Sequence, residues 1–395
     1  MSHIKDRTLS AGVAAALPWL DRNTPVTQQV AADLSSHLLR NRTIGLNIHL
    51  DLKMIPVARA LRTAGANLVV VGANPQTTRD DVAAAMVELG AEVYAWAGMS
   101  ETDRTAALTW ARERECEFIC EMGGELIAAS VTAAVRGTTP LRAAMEATGT
   151  GISRLQPLRI PFPVFNWDDL EIKQGLHNRY LVGLMVWNTY LNVTHLTLYG
   201  RRVLIIGYGL VGQGLAHYAQ ALGAQVLVCE LNPVRQLTAI HAGCAVVALA
   251  EGLRISDVVI TATGHDHVLG PQEFRLLRDG CMLGNAGHSN LEIDVPALRH
   301  HRMRPMGPAL EEVDLGDRRI YLLAGGAMLN LAAGPGDPYD AFDLTSAVML
   351  AGIEFMVRHH QDYPPGIHLL PPDLEQRIAA LASQRPPAAH AGTPR

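Results

Sequence analysis

Along the first 121 residues, short runs of consecutive apolar residues alternate with stretches whose apolar positions recur every three or four residues. The runs predict strands buried on both faces at 44–50, 67–71, 92–97 and 118–121, and the periodic stretches predict helices at 54–64 and 80–89. Repeated strand–helix units of this kind build a parallel sheet covered on both faces. Residues 161–167 read as one more extended segment, and a long helix is expected over about 176–198. A second alternating block begins at Arg202, with strands expected at 203–206, 225–229, 245–247, 258–262 and 281–284. An apolar helix at about 344–358 is placed to pack back on the first half. The expected class is α/β, with domains at 1–183 and 184–343, a return segment at 344–383 and a small, polar, disordered tail at 384–395.

Composition narrows the function classes. The 395 residues suggest two domains or three, at roughly 100–200 residues each. Lys and Arg number 33 against 38 Asp and Glu, a net charge of −5 without a basic run, which argues against nucleic acid or an anionic membrane as the main partner. Five cysteines make an odd number with no C-x-x-C pair, so neither a disulfide framework nor a zinc knuckle is expected, and a reducing cytoplasm fits best. His265-Asp266-His267 is the one cluster that tempts a metal reading, but no further ligands accompany it, and no metal is expected. No apolar run approaches the ~18 residues of a membrane span. The charged Ile4-Lys5-Asp6-Arg7 is unlike a signal peptide.

The clearest chemistry follows the strand at 203–206, which runs into Gly207-Tyr208-Gly209-Leu210-Val211-Gly212 and then a helical pattern. Gly207 permits the tight turn, Gly209 lets the backbone approach a pyrophosphate, and Gly212 allows close helix–strand packing. The phosphates would sit on the N–H groups of Leu210, Val211 and Gly212 at the helix start. The next strand ends in Glu230, where a carboxylate can hold both ribose hydroxyls and repels a 2′-phosphate. The cofactor expected is therefore NAD.

The sequence resembles the adenosylhomocysteinase (S-adenosylhomocysteine hydrolase) family from about Ile4 to Leu381. The resemblance rests on the glycine motif and Gln213-Gly214, Glu230-Leu231-Asn232-Pro233, Asn285-Ala286-Gly287-His288, Glu292-Ile293-Asp294, Leu329-Asn330-Leu331 and Tyr363-Pro364-Pro365-Gly366. It implies a substrate domain, a Rossmann domain holding NAD, a C-terminal return, and a hinge that closes over a nucleoside. Family chemistry oxidises the ribose 3′-hydroxyl, which acidifies the C4′ hydrogen so that a C5′ group can leave. Carried over one at a time, His49 matches the histidine near the leaving group, Lys173 the lysine at the 3′-hydroxyl, Asn178 the asparagine beside it and His288 the histidine facing the 3′-oxygen. Thr148, Thr150, Asn285 and Asn330 match cofactor-side positions.

Other positions depart from the family. Met122 replaces an aspartate proposed as the C4′ base, with Glu121 just before it. Ala147 replaces a ribose-binding glutamate, with Glu146 just before it, and His177 replaces an aspartate that holds the sugar hydroxyls. Asp51 and Lys53 stand where the family has a threonine and a glutamate beside the adenine, and Asp337 replaces a later adenine-side histidine. The chain also stops short of the arm that reaches a neighbouring subunit's NAD, so a dimer is expected at least as readily as the family's tetramer. The redox set survives while the sugar and base contacts are rebuilt. That combination implies an enzyme acting on a different small-molecule nucleoside, with 4′,5′-dehydration in nucleoside-antibiotic biosynthesis as the leading expectation. The alternatives are a true adenosylhomocysteinase and an inactive NAD-binding regulator.

Overall fold

The computed structural model describes residues 2–287 and 290–384. The chain forms two compact units, one of Met1–Lys173 with Tyr339–Arg395 and one of Gln174–Pro338. The sequence reading set these divisions at 183/184 and 343/344.

In the first unit the strands β1 (Thr43–Ile48), β2 (Asn67–Gly72), β3 (Glu92–Tyr94), β4 (Phe118–Glu121), β5 (Ala143–Glu146) and β6 (Pro163–Asn166) join a last strand, Gly366–Leu369, in one sheet. Every pairing is parallel, in the order last strand, β6, β5, β4, β1, β2, β3. The order reverses between β1 and β4, and in such sheets ligands bind outside the carboxyl ends of the strands at that reversal. β5 was not expected. Its Ala143-Ala144-Met145-Glu146 holds no β-branched or aromatic residue, and only burial on both faces makes it a strand.

The helix Tyr339–His359 belongs to this unit, as its apolar pattern foretold, and is buried along most of its length. Asp343 fixes it in place. This buried carboxylate accepts hydrogen bonds from the backbone of Val26 (3.0 Å) and Thr27 (2.7 Å), capping the helix Pro25–Asp33 from more than 300 residues away.

The second unit contains β7 (Arg202–Ile206), β8 (Gln225–Cys229), β9 (Ala245–Val246), β10 (Val258–Thr261), β11 (Met282–Asn285), β12 (Arg302–Gly307), β13 (Leu310–Asp314) and β14 (Arg319–Leu323). Six of them run parallel in the order β9, β8, β7, β10, β11, β14, the dinucleotide-binding arrangement. β13 and β12 extend the sheet antiparallel. The helix expected at 176–198 is two structures. Ile172–Leu181 is a wide π-helix and Val182–Thr194 an ordinary α-helix. Apolar periodicity does not distinguish the wider winding, which recurs at functional sites.

Candidate active site

In the first unit, His49 follows β1 directly and so stands at the carboxyl end where the strand order reverses. Its Nδ1 lies 2.7 Å from Thr77 Oγ1, and that hydroxyl donates its own hydrogen to Asn74 O at 3.1 Å. With the hydroxyl donating to Asn74 O, it can accept from Nδ1–H, an arrangement that leaves Nε2 as the basic nitrogen of the neutral ring. Thr77 was not singled out from the sequence, because nothing in spacing joins it to a histidine 28 residues earlier. Asp51 and Lys53 form an ion pair at 2.8 Å, with the Lys53 side chain 2% exposed and its ammonium over the Phe342 ring.

The two carboxylates beside the family's lost acids are fully buried, at 0% exposure. Glu121 accepts from Asn47 Nδ2 (3.0 Å) and from the backbone of Leu126 (2.8 Å) and Ile127 (2.9 Å), the first turn of the helix Glu125–Val135. Glu146, opposite it on β5, accepts from the backbone of Gly123, Gly124 and Thr148 and from the Thr148 hydroxyl at 2.6 Å. Burial pushes the Glu121 carboxyl up. Burial and then the charge of Glu121 push Glu146 up to about 8, against the pull of its hydrogen bonds. Both side chains are engaged with protein donors. Thr148 is engaged as well, since its hydroxyl also caps the helix Gly149–Leu155 by accepting from Gly151 N. Thr150 and Met122 are half-buried.

Lys173 closes the first stretch of that unit, on the π-helix that also carries His177 and Asn178. In the second unit, Asn178 Nδ2 donates to Gln174 Oε1 at 3.3 Å. His177 Nε2 lies 3.4 Å from Asp337 Oδ2, so two positions that the family resemblance assigns to different ends of a nucleoside are in contact.

The glycine motif bridges β7 and the helix Leu210–Ala221. Gly207 has φ +93°, and a Cβ there would fall 2.7 Å from Ala262 O, while one on Gly212 would fall 2.1 Å from Gly207 O. A Cβ on Gly209 would meet nothing within 4 Å, so the backbone is open where a pyrophosphate would lie. Glu230 Oε2 accepts from Tyr208 N, and Oε1 accepts from Leu231 N and Asn232 N. Burial opposes ionisation of Glu230, but the amide hydrogens of Asn232, Tyr208 and Leu231 outweigh it and hold the carboxyl below its usual range. Asn330 Oδ1 is buried with no hydrogen-bond partner in the structure.

Asn285 is buried and serves the scaffold. It accepts from Gly287 N and Thr261 Oγ1 and donates to Gly326 O. Glu292, also fully buried, holds the neighbouring loop through Thr263 and Gly264, and the sequence singled it out only as part of a motif. His288 lies outside the described residues. Among the described residues, no group of three or more His, Cys, Asp or Glu side chains is placed to hold a metal, and His265-Asp266-His267 is exposed. No described helix is long and apolar enough to cross a membrane.

The family model described as S-adenosyl-L-homocysteine hydrolase, NAD binding domain, matches residues 183–336. Over nearly the whole chain, the sequence is 34% identical to the adenosylhomocysteinase of Thermotoga maritima, across 375 residues that make up 92% of each protein. The chain belongs to the adenosylhomocysteinase family. It is also 31% identical to the S-inosyl-L-homocysteine hydrolase of Methanopyrus kandleri, across 96% of this chain and 91% of that one. An adenosylhomocysteinase of Archaeoglobus fulgidus is 32% identical, across 92% of each. Family membership and the open backbone at Gly209 agree that the second unit binds NAD. Within the family, this chain's second unit carries the cofactor-binding sequence, and its first unit carries His49 and the Asp51–Lys53 pair.

Proposed function

We propose that this family member is an NAD-dependent lyase that removes water across C4′ and C5′ of an adenosine-like nucleoside, a step suited to nucleoside-antibiotic biosynthesis. The observation that supports it is the engagement of Glu121 and Glu146. Each could have replaced a lost family carboxylate, but both are buried and hydrogen-bonded to the backbone. Neither carboxylate is then open to the sugar as the family's acids are, and a site whose polar contacts are rebuilt selects a different substrate.

When bound, NAD supplies the oxidation of the sugar 3′-carbinol to a ketone and its reversal. The residues to hold it are Gly207, Gly209, Leu210, Val211 and Gly212 at the pyrophosphate, Glu230 at the ribose and Asn330 at the carboxamide. Lys173 takes the 3′-hydroxyl proton, with Asn178 beside it. His49 takes the C4′ proton at Nε2, Thr77 having fixed the hydrogen on Nδ1, and returns it to the departing 5′-oxygen. One C–H and one C–O bond break, a C4′=C5′ double bond forms, and water leaves. The same residues would serve hydrolysis of S-adenosylhomocysteine, the second reading, which the relatives' names favour.

Incubation of the NAD-loaded protein with 5′-hydroxy and 5′-thioether nucleosides separates the two. Loss of about 18 mass units, one water, from a 5′-hydroxy nucleoside supports dehydration. Homocysteine release from S-adenosylhomocysteine, with no such loss from any nucleoside, contradicts it.

A further inference from the structure

The strand order β4, β1, β2 puts the loops that follow β4 and β2 on either side of His49, which follows β1. A chain of charged side chains joins those two loops. Arg104, near the start of the helix Glu101–Arg112, donates from Nη2 to Ala73 O at 2.7 Å, directly after β2. The same guanidinium pairs with Glu125, at the start of the helix Glu125–Val135, and the other Glu125 oxygen lies 3.3 Å from Arg154 Nη1. Arg154 in turn donates to Gly123 O in the loop after β4. The Arg104 side chain is only 14% exposed, and its Nε is buried with no hydrogen-bond partner in the structure. A buried guanidinium with an unsatisfied N–H is costly, and an ion pair in solvent would stabilise the fold very little. What Arg104 holds is the peptide between Ala73 and Asn74. Asn74 O accepts from the hydroxyls of Thr77 (3.1 Å) and Thr78 (2.9 Å), and Thr77 Oγ1 meets His49 Nδ1 at 2.7 Å. On its other side, Ala73 N donates to Ile48 O at 2.9 Å, in the residue before His49.

We propose that Arg104, held by Glu125, is a positioning residue for His49: it fixes the loop 73–77 so that the Thr77 hydroxyl stays against the imidazole. The inference rests on the acid–base reading of His49 above, which dehydration and hydrolysis share. Arg104 reaches the imidazole only by way of Ala73, Asn74 and Thr77, so its effect on the reaction passes through Thr77. Two residues that act along one path are coupled, and their substitutions do not add.

The test is a double-mutant cycle on the NAD-loaded protein, combining Thr77→Val with Arg104→Met, which keeps an apolar stem and removes every donor. Rates are read as water loss from a 5′-hydroxy nucleoside or homocysteine release from S-adenosylhomocysteine, whichever the wild type catalyses. Arg104→Met is expected to lower kcat about tenfold while KM changes less than about twofold. Arg104→Lys restores a cation able to donate to the Ala73 carbonyl and should recover part of that loss. In the Thr77→Val background, Arg104→Met should cost less than about twofold, because the path to His49 is already cut. Losses that multiply, a loss confined to KM, no loss, or no recovery with lysine overturns the proposal. A second readout needs no turnover. The ring-nitrogen resonances of isotopically labelled histidine, with His49 assigned through His49→Gln, should shift in Arg104→Met in the same direction as in Thr77→Val, and unmoved signals overturn the proposal. If Arg104→Met does not fold, Glu125→Gln loosens the same guanidinium and enters the same cycle. A wild type inactive in both assays sinks the acid–base reading of His49, and the resonances then decide the link from Arg104 on their own.

Discussion

At the scale of single residues, neighbours in sequence have very different fates. Met122 is half-buried at the end of β4, whereas Glu121 one position earlier is sealed under the first turn of a helix. Alternation along a strand sends adjacent side chains to opposite faces, which gives a carboxylate one residue away different surroundings from the position it neighbours. Glu146→Gln separates structure from chemistry. A glutamine places an N–H donor among the backbone and hydroxyl donors gathered there, so unfolding free energy should fall by about 1–3 kcal/mol. The pH dependence has a definite sign. The folded pKa of Glu146, about 8, lies above the ordinary 4.5, so its ionisation favours unfolding and stability is lost as pH rises across that interval. Melting temperatures measured across this range should decline more steeply in the wild type than in Glu146→Gln. For His49, Thr77→Val removes the partner that fixes the tautomer. It should lower kcat by about 10–100-fold with little change in KM, measured at saturating NAD.

Elements were legible where the hydrophobic pattern was strong. The strands β1, β2, β4, β7, β8 and β10 follow their apolar runs to within a residue or two, and the glycine motif falls between β7 and its helix as expected. β12 and β13 escaped notice because Arg302, Arg304, Glu311 and Glu312 give them a polar face that reads as loop. The π-helix escaped because its apolar positions resemble those of an ordinary helix, and only the hydrogen-bond pattern reveals it. At the glycine loop, two substitutions should behave differently. Gly212→Ala drives a methyl into Gly207 O and should lower both stability and NAD affinity. Gly209→Ala meets no protein atom, so it should leave the melting temperature of the NAD-free protein unchanged and weaken NAD binding about tenfold or more. Calorimetry with and without NAD distinguishes these outcomes.

At the scale of the whole molecule, the first unit is built from both ends of the chain, and Asp343 is the stitch. Asp343→Ala exposes two backbone donors of the helix Pro25–Asp33 and should lower the stability of that unit by about 1–3 kcal/mol in denaturant melts, while NAD affinity of the second unit is unchanged. The cofactor half was readable in sequence because the glycine loop at 207–212 and Glu230 on the next strand lie close along the chain. The substrate half was less so, because the partners of His49, Glu121, Glu146 and His177 come from distant parts of the chain. Substrate identity is therefore decided by experiment on the holoenzyme. NAD-loaded protein incubated with 5′-hydroxy nucleosides and with S-adenosylhomocysteine, followed by mass spectrometry, should show a nucleoside product lighter by about 18 mass units, one water. Rapid release of homocysteine, with every 5′-hydroxy nucleoside recovered unchanged, would contradict it.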